Sequence, residues 1–214
     1  MSRLSLIATT LAGALSLRCA PSTGSTCVAD SVGALRLSSS VTRCRPDDFL
    51  CRLNCRLGSA SACLGLAYAS DKDKGPTEGV RNLYRRACVL GDANGCTNYA
   101  ASVWTGKASK EEDACARRTF EKACAVKEQF ACGMVGRVML ESDGTPDIAE
   151  ARHYLQSACD RIGGFSCRVL AKHLESGKLG PHDPTSTPAL LKRACDGGDV
   201  YACGSHATAE ETFY

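Results

Sequence analysis

The sequence has few aromatic residues and little net charge. Phenylalanine, tryptophan and tyrosine make up 6% of its 214 residues, and the formal net charge is +3 at pH 7. A small excess of basic residues, dispersed along the chain, does not indicate nucleic-acid binding. The low aromatic content indicates a thin hydrophobic core that other bonds must reinforce.

The motifs of common enzyme classes are also missing. The chain has no Gly-x-Ser-x-Gly segment, no phosphate-binding loop and no dinucleotide fingerprint. Gly106-Lys107 and Gly177-Lys178 lack the upstream glycine of a phosphate loop and indicate turns. None of the histidines pairs with another at metal-ligand spacing. We therefore expect no catalytic residue, metal or cofactor. The four histidines are His153, His173, His182 and His206.

Cysteine, in contrast, is abundant, with 15 residues. Ten of them form five pairs in which seven residues separate the two cysteines, and successive pairs begin 33 to 36 residues apart. That period is the length of a helix-turn-helix solenoid unit. The pairs are Cys55 with Cys63, Cys88 with Cys96, Cys124 with Cys132, Cys159 with Cys167, and Cys195 with Cys203.

The spacing within each pair predicts a disulfide across a chain reversal. Residues eight apart on one helix are roughly 12 Å apart, whereas a disulfide joins Cα atoms within about 7 Å. Glycines at Gly91, Gly163 and Gly197 can end a helix between the two cysteines. A zinc site is less favoured, because its cysteines usually lie two to four residues apart. Each such disulfide contributes roughly 2.5 kcal/mol to the stability of the fold, because it reduces the conformational entropy of the unfolded chain.

The residues before each pair show a helical period. Alanine precedes the first cysteine of the last four pairs, and a large apolar residue lies four positions before it, as in Tyr84 and Phe120. Positions one, four and eight before a cysteine share one face of a helix. Glycine and proline separate these helices from the preceding ones, for example at Asp143 to Pro146. The pattern predicts an all-α fold of stacked helix pairs.

The pattern Cys-x2-Leu-(Ala/Gly)…Gly…Ala-Cys-x2-Gly-Asp-x3-Cys resembles disulfide-bonded SEL-1-like repeat proteins. These are a variant of the tetratricopeptide solenoid seen in the Helicobacter cysteine-rich protein family. The resemblance covers about residues 46–210 and implies a right-handed α/α superhelical solenoid with one disulfide per repeat junction. Lys127-Glu128 departs from the usual Gly-Asp, and Cys115 is extra. The pattern is carried by Leu66, Ala67, Ala87, Cys88, Gly91, Asp92, Ala123, Cys124, Ala158, Cys159, Leu170, Ala171, Gly177, Ala194, Cys195, Gly198 and Asp199.

The N-terminal residues predict export. Arg3 and the apolar stretch Leu4–Leu17 are typical of an export signal, placed at residues 1–18. Cys19 lies where lipoproteins carry their lipidated cysteine, and the alternative is cleavage further on, for example after Ser25. We expect a periplasmic or outer-membrane lipoprotein or a secreted protein, which reaches a membrane only through a lipid at Cys19.

Residues 19–45 are rich in small and polar residues and predict a flexible tether, so the solenoid spans residues 46–214. Cys44 and Cys51 could form a degenerate first pair. The partners of Cys27 and Cys115 cannot be deduced from the sequence. For Cys115, a free thiol, a half-buried unpaired cysteine and a bond to the N-terminal region all remain open.

Two function classes follow from this pattern. The first is a non-catalytic scaffold that holds a peptide or protein on a curved surface. The second is weak β-lactam binding or hydrolysis, which the resemblance implies, although the chain has no Ser-x-x-Lys, Ser-Asp-Asn or Lys-Thr-Gly. A purely structural role in the envelope is a third. In solenoids of this type the first helix of each unit lines the concave side. There the helical period predicts partner contacts by Asn98, Ser102, Arg137, Glu141, Arg168 and Lys172.

Overall fold

The computed structural model describes residues 27–38, 40–71, 76–104, 109–142, 145–181 and 186–204. Within these ranges the chain forms helices and no named strand, which confirms the all-α prediction. A last helical segment covers residues 200–204. The other helices are α1 (Val28–Ser31), α2 (Phe49–Arg56), α3 (Ala60–Ser70), α4 (Glu78–Val89), α5 (Ala93–Val103), α6 (Lys110–Ala125), α7 (Gln129–Glu141), α8 (Ile148–Ile162), α9 (Gly164–Glu175) and α10 (Ser186–Asp196).

Most helices begin at a side chain that caps them. The hydroxyl of Ser59, for example, accepts a hydrogen bond from the backbone N–H of Ala62, and Ser109 forms a reciprocal capping box with Glu112. Each such cap stabilises a helix by about 1 kcal/mol. The other capping residues are Asp48, Thr77, Asp92, Glu128 and Asp147.

The helices stack as consecutive pairs, which confirms the predicted solenoid. The units are α3/α4, α5/α6, α7/α8 and α9/α10, and α2 precedes them as a lone second helix. From α2 to α10, each helix packs on its neighbours in the chain. The first helices α3, α5, α7 and α9 also contact one another in order. Because helices on the inside of a curved stack lie closest together, we assign the first helices to the inner face.

The core contains the residues that the helical period predicts. The alanines before the junction cysteines, such as Ala87 and Ala123, are fully buried, as are Tyr84, Phe120 and Leu155. Small residues let paired helices approach closely. A Cβ atom at Gly136 would lie 2.8 Å from the Leu155 side chain and from the Ala151 carbonyl oxygen, so any larger residue would force α7 and α8 apart.

The structure contains the five disulfides that the cysteine spacing predicts. Each one joins the end of a second helix to the first turn of the next helix, and its Cα atoms lie 4.3 to 4.7 Å apart. The chain therefore reverses between the two cysteines of every pair. The bonds join Cys55 to Cys63, Cys88 to Cys96, Cys124 to Cys132, Cys159 to Cys167, and Cys195 to Cys203.

Two further disulfides bring the total among the described residues to seven. Cys44 is bonded to Cys51 at a Cα distance of 6.0 Å, and Cys27 is bonded to Cys115 across 88 residues. The second bond decides among the alternatives for Cys115, which is joined to the N-terminal region. The cysteine sulfur atoms are thus all paired where the structure describes them. So many disulfides indicate an oxidising environment outside the cytoplasm.

One junction carries a non-glycine residue in the left-handed conformation. Gly58, Gly91 and Gly198, three residues after a first junction cysteine, have positive φ angles, and Lys127 takes the same place with φ 66°. Beside it, Glu128 takes over the capping role of the usual aspartate and accepts hydrogen bonds from the backbone N–H groups of the next helix. The sequence departure therefore preserves the turn at some cost in backbone strain.

The described part of the predicted tether is not free. Residues 27–38, which we name the N-terminal strap, lie across the second helices α4 and α6. Val28 and Val32 are buried in the main core, and the disulfide between Cys27 and Cys115 fixes the start of the strap. Lys122 donates hydrogen bonds to the carbonyl oxygens of Ala29 and Val32, at 2.6 and 3.2 Å.

The far end of the strap is held through its backbone. The Arg36 N–H donates to the Gly91 carbonyl at 2.8 Å, and the Arg36 carbonyl accepts from the Ala93 N–H at 3.0 Å.

The export signal, Cys19 and Ser25 lie outside the described residues. Among the described residues, no helix has the length and apolar character needed to cross a membrane.

Candidate functional site

Aromatic rings occupy one repeated position at the C-terminal end of the solenoid. The residue two places before the second junction cysteine is Phe130 in α7, Phe165 in α9 and Tyr201 in the last helical segment. The ring centroids of Phe130 and Phe165 lie 4.6 Å apart. Since the first helices stack on one another, this position produces a row of rings along the inner face.

Two arginines bridge these rings from one unit to the next. The Arg137 guanidinium lies 5.0 Å from the centroid of Trp104, which ends α5, and 5.9 Å from Phe165. The Arg168 guanidinium lies 5.4 Å from both Phe165 and Tyr201. Such cation–π contacts are worth about 0.5–2 kcal/mol each. We name these residues the inner stripe: Trp104, Phe130, Arg137, Phe165, Arg168 and Tyr201.

Carboxylates neutralise both arginines. Arg137 pairs with Glu141 one turn along α7, at 3.1 Å, and Arg168 pairs with the buried carboxylate of Asp199, at 2.8 Å. The stripe therefore offers the flat faces of its guanidinium groups and not a strong positive field. Lys172, one turn beyond Arg168, is exposed and adds a charge beside the stripe.

Glu141 also links two successive first helices. Its carboxylate lies 3.2 Å from Nε2 of His173, a side chain of α9 that is almost fully buried. Burial of this carboxyl group by itself would raise its pKa. Hydrogen bonds from His173 and Arg137, with the charges of both partners, outweigh burial and lower the pKa to about 2. The pair thus holds a charged carboxylate between α7 and α9.

The structure brings four of the six predicted partner residues together. Arg137, Arg168 and Glu141 lie in or against the inner stripe, and Lys172 lies beside it. Asn98 instead donates hydrogen bonds to the Tyr68 hydroxyl and the Asn94 carbonyl oxygen. The Ser102 hydroxyl donates to the carbonyl oxygen of Tyr99, within its own helix. Partner binding by all six residues stays a prediction.

The aromatic members of the stripe were not among the residues predicted from the sequence. Phe130, Phe165 and Tyr201 share one offset from their cysteines, so aligning the repeats on the second cysteine reveals them. Trp104 has no such repeated signal. It ends α5, where its side chain is buried and reaches Arg137 of the next unit.

Other parts of the described structure are weaker candidates for a functional site. A cavity of about 420 Å³ between α6, α7 and α8 is lined by both acidic and basic side chains, among them Lys110, Asp113 and Arg117. Within the described ranges, no three histidine, cysteine, aspartate or glutamate residues cluster as metal ligands would. Among the described residues, the inner stripe is therefore the strongest candidate for a binding surface.

Comparison with known proteins identifies the fold. No family profile and no curated protein matches the chain. A solved structure of a protective antigen present in uropathogenic Escherichia coli strains, which displays an SLR fold, matches with a TM-score of 0.60 and 21% identity. The match covers 76% of this chain and 36% of that chain.

A Sel1 repeat protein from Oxalobacter formigenes is similar, with a TM-score of 0.58 and 17% identity over 71% of this chain and 62% of that one. This chain thus spans less than two thirds of either neighbour. The likeness shows that the chain has the fold of a Sel1-like repeat solenoid, and the seven disulfides among its described residues fit a cysteine-rich protein of this type.

Proposed function

We propose that this protein is an exported, non-catalytic scaffold that recognises a peptide or protein in the cell envelope or outside the cell. The Sel1-like repeat fold supports a protein-interaction scaffold, since stacked helix pairs form an extended concave surface. The observation that carries the proposal is the inner stripe, a continuous row of aromatic rings and arginines across successive first helices.

The rings of the stripe are not required for stacking the helices. At the same position in the first two units the chain has Ser61 and Asn94, and these units stack in the same way. Tyr201 is 74% exposed, so a partner can reach this residue. Aromatic and arginine side chains are also the residue types that dominate binding energy in protein interfaces.

The stripe favours a partner segment with apolar or aromatic side chains. Glu141 and Asp199 already neutralise Arg137 and Arg168, so stacking on the guanidinium faces contributes more than their charge. Exposed Lys172 would add a contact to a carboxylate of the partner. We include Asn98 and Ser102 as contacts of the N-terminal part of the same inner face.

Peptide selection from a random display library, with the purified disulfide-bonded protein as bait, tests this function. We expect enriched peptides whose binding falls about tenfold in the double variant Lys172→Glu with Tyr201→Ser. The matched control is Lys192→Glu with Ile162→Ser, which changes an exposed lysine and an exposed apolar residue on the second helices. We expect this control to bind as the unchanged protein does.

Equal loss of binding in both double variants would contradict recognition by the inner stripe. Nitrocefin hydrolysis by the unchanged protein would favour the β-lactam alternative, which gains no support from the described residues.

Export is tested separately by N-terminal sequencing and fractionation. We expect a mature protein that begins at Cys19, with a lipid, or within the following residues, and an intact Met1 in the cytoplasm would refute export.

A further inference from the structure

The cavity of about 420 Å³ between α6, α7 and the start of α8 has the volume of a small-molecule pocket. Part of its wall is apolar and is formed by Val138, Met139 and Pro146. None of the residues that line it belongs to the inner stripe. A ligand in the cavity and a partner on the stripe would therefore occupy separate sites.

The cavity is lined by a buried carboxylate that lacks a partner. Asp113, in the first turn of α6, is only 9% exposed, and its Oδ1 atom is shielded from solvent and receives no hydrogen bond. Ser142, at the end of α7, also lines the cavity, and its hydroxyl oxygen is likewise shielded and without a hydrogen-bond partner. Buried polar groups are costly when they are left unpaired. Both side chains would therefore gain from a ligand that donates hydrogen bonds.

The repeat itself does not require a carboxylate at this place. The position eleven residues before the first junction cysteine holds Asp113 in α6, but Thr77 and Ile148 in two other units. Asp113 does not cap its helix either, because Ser109 forms the capping box of α6 with Glu112. The buried carboxylate is thus a feature of this one unit, and neither helix stacking nor helix capping explains it.

The charges of the cavity wall favour a cation. Arg117 is already paired, at 2.7 Å with Glu121 and at 3.8 Å with Glu150. The Asp147 side chain accepts a hydrogen bond from the backbone N–H of Glu150 and caps α8. Asp113 therefore remains as the buried carboxylate without a donor, and it would repel an anion. The charged residues that line the cavity are Lys110, Asp113, Arg117, Asp147 and Glu150.

We propose that this cavity binds a primary ammonium group carried on a short apolar stem. The ammonium donates to the Asp113 carboxylate, and the Ser142 hydroxyl offers a second acceptor. The stem lies against the apolar wall of Val138, Met139 and Pro146. A metal ion fits less well, because the described residues hold no group of three side chains suited to ligate one and an apolar wall offers it no ligand.

Three sources share this chemistry: a free amine, an α-amino acid and the lysine side chain of a peptide. Lys110 is exposed and lines the same cavity, so it is available to a carboxylate of the ligand. An amino acid with an apolar side chain would use this lysine in addition to Asp113. A free amine or a lysine side chain would use Asp113 alone.

Isothermal titration calorimetry with the purified, disulfide-bonded protein and isopentylamine tests the shared chemistry. We expect binding, and we expect isopentanol, which has the same stem but no charge, to bind at least about tenfold more weakly. L-Leucine and Nα-acetyl-lysinamide then distinguish the sources. Tighter binding of L-leucine than of isopentylamine would indicate an amino acid, and tighter binding of Nα-acetyl-lysinamide would indicate a lysine side chain.

Substitutions place the ligand in the cavity. Asp113→Asn keeps the shape of the side chain and should weaken isopentylamine at least about tenfold, because it removes the charge that the ammonium pairs with. Ser142→Ala should weaken it by roughly threefold, and it preserves the test if Asp113→Asn does not fold. The matched control is Asp196→Asn, which removes an exposed carboxylate on α10, outside the cavity, and should leave binding unchanged.

Three results would overturn the proposal. The first is an unchanged protein that binds none of the three ammonium compounds at millimolar concentration. The second is isopentanol binding as tight as that of isopentylamine, since the cavity would then recognise only the apolar stem. The third is an equal effect of the substitutions at Asp113 and Asp196, because the ammonium would then bind by net charge and not in the cavity.

Discussion

The two halves of the solenoid share the same helix packing and junction disulfides but differ in the further contacts that reinforce them. In the N-terminal half, the strap crosses α4 and α6 and a long-range disulfide ties it to α6. The inner face there carries small or polar residues such as Ser61 and Asn94. In the C-terminal half, rings and guanidinium groups connect α7, α9 and the last helical segment along the inner face.

This difference separates stability from recognition. A strap on the second helices stabilises the array without occupying its inner face, so the N-terminal half is fixed from outside. In the C-terminal half, the side chains that join neighbouring units are also the ones that a partner can reach, such as Tyr201 and Arg168. Changes to the two halves should therefore have different consequences for stability and for partner binding.

Removal of the strap disulfide should cost the most stability. In the double variant Cys27→Ser with Cys115→Ser we expect a loss of about 4 kcal/mol in the free energy of unfolding, because this bond closes the longest loop of the disulfides among the described residues. Chemical denaturation with the other disulfides intact measures it. Cys44→Ser with Cys51→Ser, which opens a short local loop, should cost only about 2.5 kcal/mol. If the two losses are equal, the strap does not hold the N-terminal half.

The fold followed from the sequence because its determinants are local and repeated. A fixed cysteine spacing, a helical apolar period and a recurrent alanine specify each unit without reference to the others. All five junction disulfides, from Cys55 with Cys63 to Cys195 with Cys203, were predictable in this way. The strap was not, because its residues show no helical period. Its burial depends on a bond across 88 residues that no local pattern encodes.

The inner stripe was predictable in part. The helical period alone placed Arg137 and Arg168 on one side of their helices, and the structure brings them together through Phe165. Arg137 also pairs with Glu141 and stacks on two rings, and these contacts were not predicted from the sequence. The helical period of the sequence predicts the side of the helix on which a side chain lies. The partners of that side chain depend on the distance between neighbouring units, which the period does not give.

Acid should weaken the C-terminal half through Glu141. Its carboxyl pKa is about 2 in the folded protein and about 4.5 when unpaired. Since the folded pKa is the lower one, the linked stability, on the order of 3 kcal/mol, is fully present above pH 4.5 and is lost as the pH falls from there towards 2. Denaturation at several pH values should show this loss, and Glu141→Gln should flatten it.

A control distinguishes this carboxyl group from general acid unfolding. Glu175 lies on α9 and is exposed, so Glu175→Gln should leave the pH dependence of stability unchanged. The contacts of Glu141 with Arg137 and His173 would lose their assigned role if both glutamine variants gave the same pH curve.

A substitution at one position tests whether the rings of the inner face stabilise the C-terminal half. Phe165→Ala removes a ring that touches Phe130, Arg137 and Arg168, and we expect it to cost about 2 kcal/mol, because the side chain is half-buried and carries two cation–π contacts. Asn94→Ala, at the same position two units earlier, should cost less than about 0.5 kcal/mol. Equal costs would mean that the stripe contributes nothing to the C-terminal half.

The smallest effect is expected where the two halves meet, at the junction of α6 and α7. Lys127 has φ 66° there, in the position that Gly58, Gly91 and Gly198 occupy at other junctions. The left-handed conformation costs a non-glycine residue about 1–2 kcal/mol, and the greater freedom of an unfolded glycine offsets part of that gain. We therefore expect Lys127→Gly to raise the free energy of unfolding by about 0.5–1 kcal/mol.

The reverse change, Gly198→Lys, is a matched control, because a Cβ atom at Gly198 meets no atom within 4 Å, so only backbone strain opposes it. It should lower the free energy of unfolding by a similar amount. If Lys127→Gly lowers stability instead, the lysine side chain makes a contact at this junction that outweighs the strain of its backbone.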